Sequence, residues 1–267
     1  MNRSFDENRS KKFRKKPASS SETTLVRLNK YIANAGICSR READTLISKG
    51  LIKVNGKVLK ELGAKIDPRK DKVSYHDEVI AKERPVYLLL NKPKNFITTA
   101  KDPQGRKTVI DLIKNACPER LYPVGRLDRD TTGVLLFTND GELADKLTHP
   151  SCNISKLYHV QTADNVSNED IEKLRKGITL EDGFIKPDEI ALISSANTGN
   201  EIGIQLHSGK NRIVRRMIDH IGHKVVKLDR VLFAGLSKKN LPRGKWRFLK
   251  QSEVNILKRL PSRKNPS

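Results

Sequence analysis

The sequence has only three cysteines in 267 residues, Cys38, Cys117 and Cys152, and no two of them form a C-x-x-C pair. That scarcity and spacing exclude a readable disulfide framework or zinc motif. Aromatic residues are also sparse, at 5%. No apolar run approaches the roughly 18 residues that a membrane-spanning helix requires, which argues against a membrane protein. Acidic charge is in short supply: 31 Asp and Glu stand against 53 Lys and Arg, a formal net charge of +22. Apolar residues reach 36%, below the usual soluble share. Long apolar stretches between residues 25 and 257 nevertheless supply a core, so full disorder is not expected.

The position of the charge carries more information than its sum. Residues 1–24 hold seven basic and three acidic residues with little to bury, and are expected to form a disordered arm. Residues 258–267 hold four basic residues and no acidic one, and read as a frayed basic tail. The segment between keeps 42 basic against 28 acidic residues. A folded body this basic implies a polyanionic partner, nucleic acid first and an anionic membrane surface second. No basic amphipathic helix with Trp or Phe on its apolar face supports the membrane alternative. The N-terminal basic stretch has no apolar region behind it, so it does not read as a secretory signal, and a cytoplasmic location is expected.

The length suggests one or two folded domains. Over residues 25–83, Leu28, Tyr31, Ile32 and Ala35 recur at helical spacing, and Gly36 can supply the left-handed stop. Ser39, with Glu42 three residues on, fits a capping box for a second helix. Ala43, Leu46 and Ile47 form its apolar stripe and Gly50 its end. Asn55-Gly56 between β-forming residues is a strong hairpin signal. Arg40 and Arg41 fall in the first turn of the second helix, off its apolar stripe. They read either as a solvated face or as phosphate contacts assisted by the helix start. The stretch from Arg27 to Ala43, RLNKYIANAGICSRREA, together with Val54-Asn55-Gly56, resembles an S4 domain. That resemblance implies binding to structured RNA.

A charged, proline-containing link near 81–85 precedes Tyr87-Leu88-Leu89-Leu90, which reads as a buried strand. The densest signal comes later, in the run from Tyr122 to Gly141, YPVGRLDRDTTGVLLFTNDG. Val134–Phe137 is a strand, and Asp140-Gly141 turns the chain into a helix carrying Leu143, Ala144 and Leu147. Before the strand lies a loop with Asp128 and Asp130 set among Arg126 and Arg129. Loops mounted on rigid strands are where catalytic groups concentrate. A carboxylate flanked by arginines suits a nucleophile or an electrostatic stabiliser better than a general acid, which must hold a proton at pH 7. Taken alone, the spacing favours an ordinary ion pair or a turn cap, because ion pairs are common and catalytic groups rare.

Gly125-Arg126-Leu127-Asp128 is similar to the catalytic signature of pseudouridine synthases, and its continuation to Gly141 resembles the RsuA/RluB branch of that family. The resemblance implies isomerisation of uridine to pseudouridine in ribosomal RNA, with Asp128 as the nucleophilic aspartate and Asp130 structural. Lys156-Leu157-Tyr158-His159-Val160 resembles the second family motif, which implies that Tyr158 stacks on the target base. Lys156 receives no catalytic role. Leu206 to Met217, LHSGKNRIVRRM, resembles the third motif: strand, turn at Gly209, helix. There the resemblance makes Arg215 the arginine that pairs with Asp128, although Ile213 stands where glutamine is commoner. Val214, Met217, Ile218 and Ile221 share one helical face, with Arg215 at its edge. Arg212 and Arg216 point elsewhere. The candidate RNA contacts are Arg40, Arg41, Arg126, Lys210, Arg212 and Arg216.

Competing motifs fail on spacing. Gly203 lies one position too far from Gly209-Lys210 for a P-loop, and Asn211 is not Ser or Thr. His220 and His223, three apart on the expected helix, lack a third metal ligand. Two alternating carboxylates in so basic a chain do not suit a neutral glycan. The family resemblance implies an α+β fold: an S4 domain over 25–83 and a catalytic domain over 84–257 with a mixed, largely antiparallel sheet. It implies neither cofactor nor metal, since substrate and product are isomers. The expected partner is ribosomal RNA or a pre-ribosomal particle, large-subunit RNA foremost, and no membrane. A monomer is the simplest oligomeric expectation. Small-subunit RNA or tRNA as substrate, and a noncatalytic RNA-binding assembly factor, remain as alternatives. On sequence, Asp128 has three open routes: attack at C1′, attack on the base, or proton abstraction from the sugar.

Overall fold

A computed structural model describes residues 25–100, 102–193 and 199–261. The expected basic arm, and the tail beyond residue 261, lie outside these. The chain divides into two compact units, residues up to 31 with 40–80, and residues 32–39 with 81 onward.

The first unit contains β1 (Val26–Arg27), the start of α1 (Leu28–Asn34), α2 (Arg40–Ser48), β2 (Ile52–Val54), β3 (Lys57–Val58), β4 (Lys65–Ile66), β5 (Val73–Tyr75) and β6 (Glu78–Val79). Strands β3, β2, β5 and β6 form one small sheet, in that order, and β1 pairs with β4. The Asn55-Gly56 signal is realised as the β2–β3 turn, with φ of 52° and 79°. Two successive left-handed residues match the right-handed twist of the flanking strands. Leu28, Ala43, Ile47, Ile52, Ile66 and Val73 are buried. Arg40 and Arg41 are exposed on the first turn of α2.

The second unit is built on a nine-stranded sheet. Its strands are β7 (Tyr87–Lys92), β8 (Tyr122–Pro123), β9 (Thr132–Thr138), β10 (Lys156–Thr162), β13 (Glu189–Leu192), β14 (Glu201–Leu206), β15 (Val225–Phe233), β16 (Leu236–Ser237) and β17 (Trp246–Phe248). The main path runs β13-β14-β10-β15-β9-β7-β17. Its pairings are antiparallel except β9 with β15, so the sheet is mixed and largely antiparallel, as expected. A separate hairpin joins β11 (Ile178–Leu180) to β12 (Gly183–Ile185). Strands β7 and β9 are buried along their whole length, which explains why they read as unbroken apolar runs rather than alternating ones.

Helices α3 (Gly141–Thr148), α4 (Asn168–Lys176), α5 (Ile213–His220) and α6 (Gln251–Arg259) complete the unit. Asp140 caps α3, accepting hydrogen bonds from the amides of Glu142 (3.2 Å) and Leu143 (3.1 Å). That satisfies two of the orphan donors at a helix start. Helix α5 buries Ile213, Val214, Met217 and Ile218. It ends before His223, which was expected on it with His220. His223 instead lies between Asp164 (2.9 Å from Nδ1) and Asp170 (3.4 Å from Nε2). Helix α6 runs to Arg259, so Lys258 and Arg259 form its last turn rather than the start of a frayed tail. Among the described residues no helix is long and apolar enough to cross a membrane.

The parallel β9–β15 contact depends on one residue. Gly133 has φ of +109°, and a Cβ there would lie 2.1 Å from the Arg230 carbonyl oxygen. Since that neighbour is backbone, it cannot swing aside. Gly133→Ala is therefore expected to lower stability by about 3 kcal/mol, from conformational strain and overpacking together. A shift of the urea midpoint with unchanged slope would show it.

Candidate active site

The loop between β8 and β9 presents Asp128, and a buried lysine shapes it. Lys92 closes the apolar strand β7 and has no solvent exposure. Its Nζ donates to the carbonyls of Asp128 (2.9 Å), Thr131 (2.8 Å), Arg129 (3.2 Å) and Pro93 (3.2 Å). Burial pushes its amine down to about 8, against the pull of Asp128 and Asp130. The loop wraps its carbonyls inward around this cation, leaving the Asp128 side chain one-third exposed. Thr98 secures the approach: Oγ1 donates to the Leu127 carbonyl (2.6 Å) and accepts from the Leu127 amide (3.2 Å).

Asp128 lines a pocket of about 170 Å³ together with Tyr158, Lys156, Arg212 and Arg230. The walls come from distant parts of the chain. Lys156 and Tyr158 sit two apart on β10, hence on one face of the sheet. Tyr158 is directly opposite Arg230 of β15 and Ile204 of β14. Arg230 is almost fully buried. Its Nε donates to the Val134 carbonyl (2.9 Å), and its guanidinium lies 4.7 Å from the Phe233 ring centroid. The Tyr158 hydroxyl supplies its remaining described partner, while burial lowers the Arg230 pKa from its ordinary value.

The arginines are arranged differently from expectation. The ion pair on Asp128 is made by Arg212, whose Nη1 lies 3.5 Å from Oδ2. Arg215 sits behind, half-buried, with Nη1 donating to the Val225 carbonyl (3.3 Å). Burial and then the charge of Arg212 lower its pKa, while Asp128, Asp130 and Asp219 oppose the shift. Arg215 is therefore within electrostatic reach of Asp128 without touching it. The difference arises at the start of α5, where Arg212 adopts a left-handed conformation (φ 46°, ψ 31°). Helical phase counted backwards from Val214 does not hold there, and the side chain swings onto the carboxylate.

Three of the candidate RNA contacts are engaged within the protein: Arg212 on Asp128, as above, and two at Asp182. Arg216 forks onto both Asp182 oxygens at 2.9 Å, and Lys210 Nζ donates to the Asp182 carbonyl at 2.7 Å. Asp182 lies at the tip of the β11–β12 hairpin. Arg126 is exposed and lines the pocket. Among the described residues Arg126, Arg40 and Arg41 form no ion pair. Sequence reasoning passed over Lys92 and Arg230. The available signal was a cation set inside an apolar strand, which must find acceptors wherever it is buried.

Comparison with known proteins places the chain in a family. Residues 86–220 match the RNA pseudouridylate synthase family and residues 26–73 match the S4 domain. The chain is 46% identical over 238 residues to the ribosomal large subunit pseudouridine synthase B of Bacillus subtilis (strain 168), covering 88% of this chain and 97% of that one. It is 40% identical over 230 residues to an uncharacterized RNA pseudouridine synthase of Aquifex aeolicus (strain VF5), covering 86% and 92%. A crystal structure of a pseudouridylate synthase, 29% identical, superposes with a TM-score of 0.63 over 87% of this chain and 99% of its own. The match spans both sequence motifs and fold, and the chain belongs to the RNA pseudouridylate synthase family, in the RsuA/RluB group that carries an N-terminal S4 domain.

Proposed function

We propose that the protein converts a uridine of large-subunit ribosomal RNA to pseudouridine, with Asp128 as the reacting carboxylate and Tyr158 as the platform for the flipped base. The observation that carries the reading is the convergence of Asp128 and Tyr158, 30 positions apart, in one pocket with Arg212 and Arg230. Asp128 supplies the anion that assists departure of uracil from C1′. Arg212 orients it by direct contact, and Arg215 adds positive potential from behind. The choice of large-subunit RNA rests on the Bacillus relative, whose name states that substrate.

The base must leave its stack to enter the pocket, so a loop or mismatched uridine is the least costly target. An S4 unit over 25–83 grips the folded RNA, with Arg40 and Arg41 on phosphates, and presents it to a catalytic domain over 84–257. Arg126 serves as a phosphate contact at the pocket rim. The protein works in the cytoplasm, as a monomer, on ribosomal RNA or a pre-ribosomal particle.

The test uses purified full-length protein and separate transcripts of large-subunit RNA, small-subunit RNA and a tRNA pool, mapped for pseudouridine at nucleotide resolution. Modification of one site in the large-subunit transcript is expected. A site in either other RNA, with the large-subunit transcript unmodified, would reassign the substrate.

A further inference from the structure

The β11–β12 hairpin stands apart from the nine-stranded sheet, and two strands alone are marginally stable in water. Two attachments hold it. Its inner face buries Ile178 and Ile185, which lie directly opposite each other. Its tip is clasped to α5, where Arg216 forks onto Asp182. Side chains alternate along a strand, so the outer face carries the opposed pair Thr179 and Phe184. Phe184 is 62% exposed.

A single exposed apolar side chain is ordinary, but the setting of this one is not. Phe248, the other exposed phenylalanine among the described residues, packs edge-on against Trp246 with ring centroids 5.4 Å apart. Phe184 lies instead against Gly177. That glycine has φ of +97°, and a Cβ on it would come 2.2 Å from the ring. The ring is seated on backbone, in a space that only glycine leaves open, and most of it faces water.

Gly177 also lines a groove of about 480 Å³, walled by Lys173 and Lys176 of α4 and by His220 and Ile221 at the end of α5. The Lys186 side chain borders the same glycine. Lys173 is paired with Asp170 at 3.0 Å. Lys176 and Lys186 form no ion pair among the described residues. An exposed aromatic ring beside uncompensated cations suits unpaired nucleotides, since the ring takes a base by stacking and the cations take phosphates. A protein partner would have to bring carboxylates to meet the lysines, whereas RNA carries an anion at every nucleotide. The hairpin tip also borders the Asp128 pocket. Lys210 lines that pocket, and its Nζ lies 3.8 Å from the Cβ position of Gly183, the residue before Phe184.

We propose that Phe184 is a stacking platform for an unpaired nucleotide flanking the target uridine, with Lys176 and Lys186 on the adjoining phosphates. This rests on RNA being the substrate of the Asp128 pocket. The platform adds a requirement to target choice: a base left unpaired at a set distance from the uridine.

The test measures RNA affinity with full-length protein. The ligands are synthetic segments spanning the modified uridine, taken from whichever RNA wild type converts. Each flanking unpaired nucleotide is replaced in turn by an abasic one. One such position is expected to weaken binding to wild type by about 5–150-fold, the loss of one base–aromatic stack. This scan needs no variant to fold. Phe184→Leu keeps an apolar group over Gly177 but has no π face. It is expected to bind the intact segment more weakly by a similar factor and to be indifferent to that abasic position. Phe184→Trp should restore both affinity and sensitivity. Lys176→Gln with Lys186→Gln should lower the slope of log affinity against log salt by about 1.4, and an unchanged slope would overturn the part given to the lysines. A scan of wild type with no sensitive position would overturn the proposal. So would a position equally sensitive in Phe184→Leu, because the base then stacks elsewhere. Unchanged affinity of Phe184→Leu for bare RNA, beside weaker binding to a pre-ribosomal particle, would overturn it and give the ring a protein partner. Asp128→Asn, run alongside, separates the two ideas. Conversion surviving in Asp128→Asn defeats the pocket assignment, whereas a normal abasic response in Phe184→Leu defeats only the platform. Wild type that converts no RNA defeats both.

Discussion

Asp128→Asn is expected to reduce pseudouridine formation by at least about 10³-fold, in line with removal of other essential nucleophiles. RNA affinity and stability should stay at wild-type levels. The amide matches the carboxylate in size and loses only its charge. The Arg212 contact it weakens is half-exposed and 3.5 Å long, and pairs of that kind contribute about 0–1 kcal/mol to folding. The loop conformation is set by Lys92 and Thr98 through backbone groups, which the substitution leaves alone. Single-turnover conversion of the large-subunit transcript, read beside a binding isotherm, checks both halves. A variant that bound RNA and still made pseudouridine at the normal rate would exclude Asp128 from the chemistry.

Lys92→Met should have the largest effect on folding. Methionine fills similar space but leaves the carbonyls of Asp128, Arg129, Thr131 and Pro93 without the donor that the buried Lys92 supplies. Removing one partner of a buried charged network costs about 3–5 kcal/mol, a large share of the roughly 5–15 kcal/mol that holds a domain together. The loss should appear as a lower urea midpoint. Molecules that stay folded at low temperature should turn over more slowly as well, because a displacement of about 1 Å at a reacting group can cost about 10²-fold. Normal stability in this variant would mean that the loop carbonyls find water, and that the lysine is not what holds them.

The contrast between these two residues shows what the sequence disclosed. Local chemistry was legible. Asn55-Gly56 specified a hairpin, Asp140-Gly141 a capped helix, and Val134–Phe137 a buried strand, because each signal is complete within a few residues. Asp128 and Tyr158 were singled out through resemblance alone, as motif positions, and the fold brings both to one pocket. The supporting network was not, because its partners are remote. Lys92 reaches 36 to 39 positions to its loop, and Arg230 reaches 96 positions back to Val134. No periodicity encodes which carbonyl a buried cation will find. The exchange of Arg212 for Arg215 at the carboxylate has a different origin. One left-handed residue at the helix start redirected a side chain that helical phase had sent elsewhere.

The Asp182 clasp bears on how this protein's charge should be counted. A cation free in solution carries a share of the ion atmosphere exchanged when RNA docks, and log affinity falls with log salt by about 0.7 per phosphate neutralised on a single strand. Arg216 and Lys210 are already spoken for by Asp182. Unless the RNA pulls them away, they release no ions on binding. The salt slope will then report a footprint smaller by these two cations. Replacing Asp182 with a neutral residue would steepen that slope without adding a single positive charge to the chain.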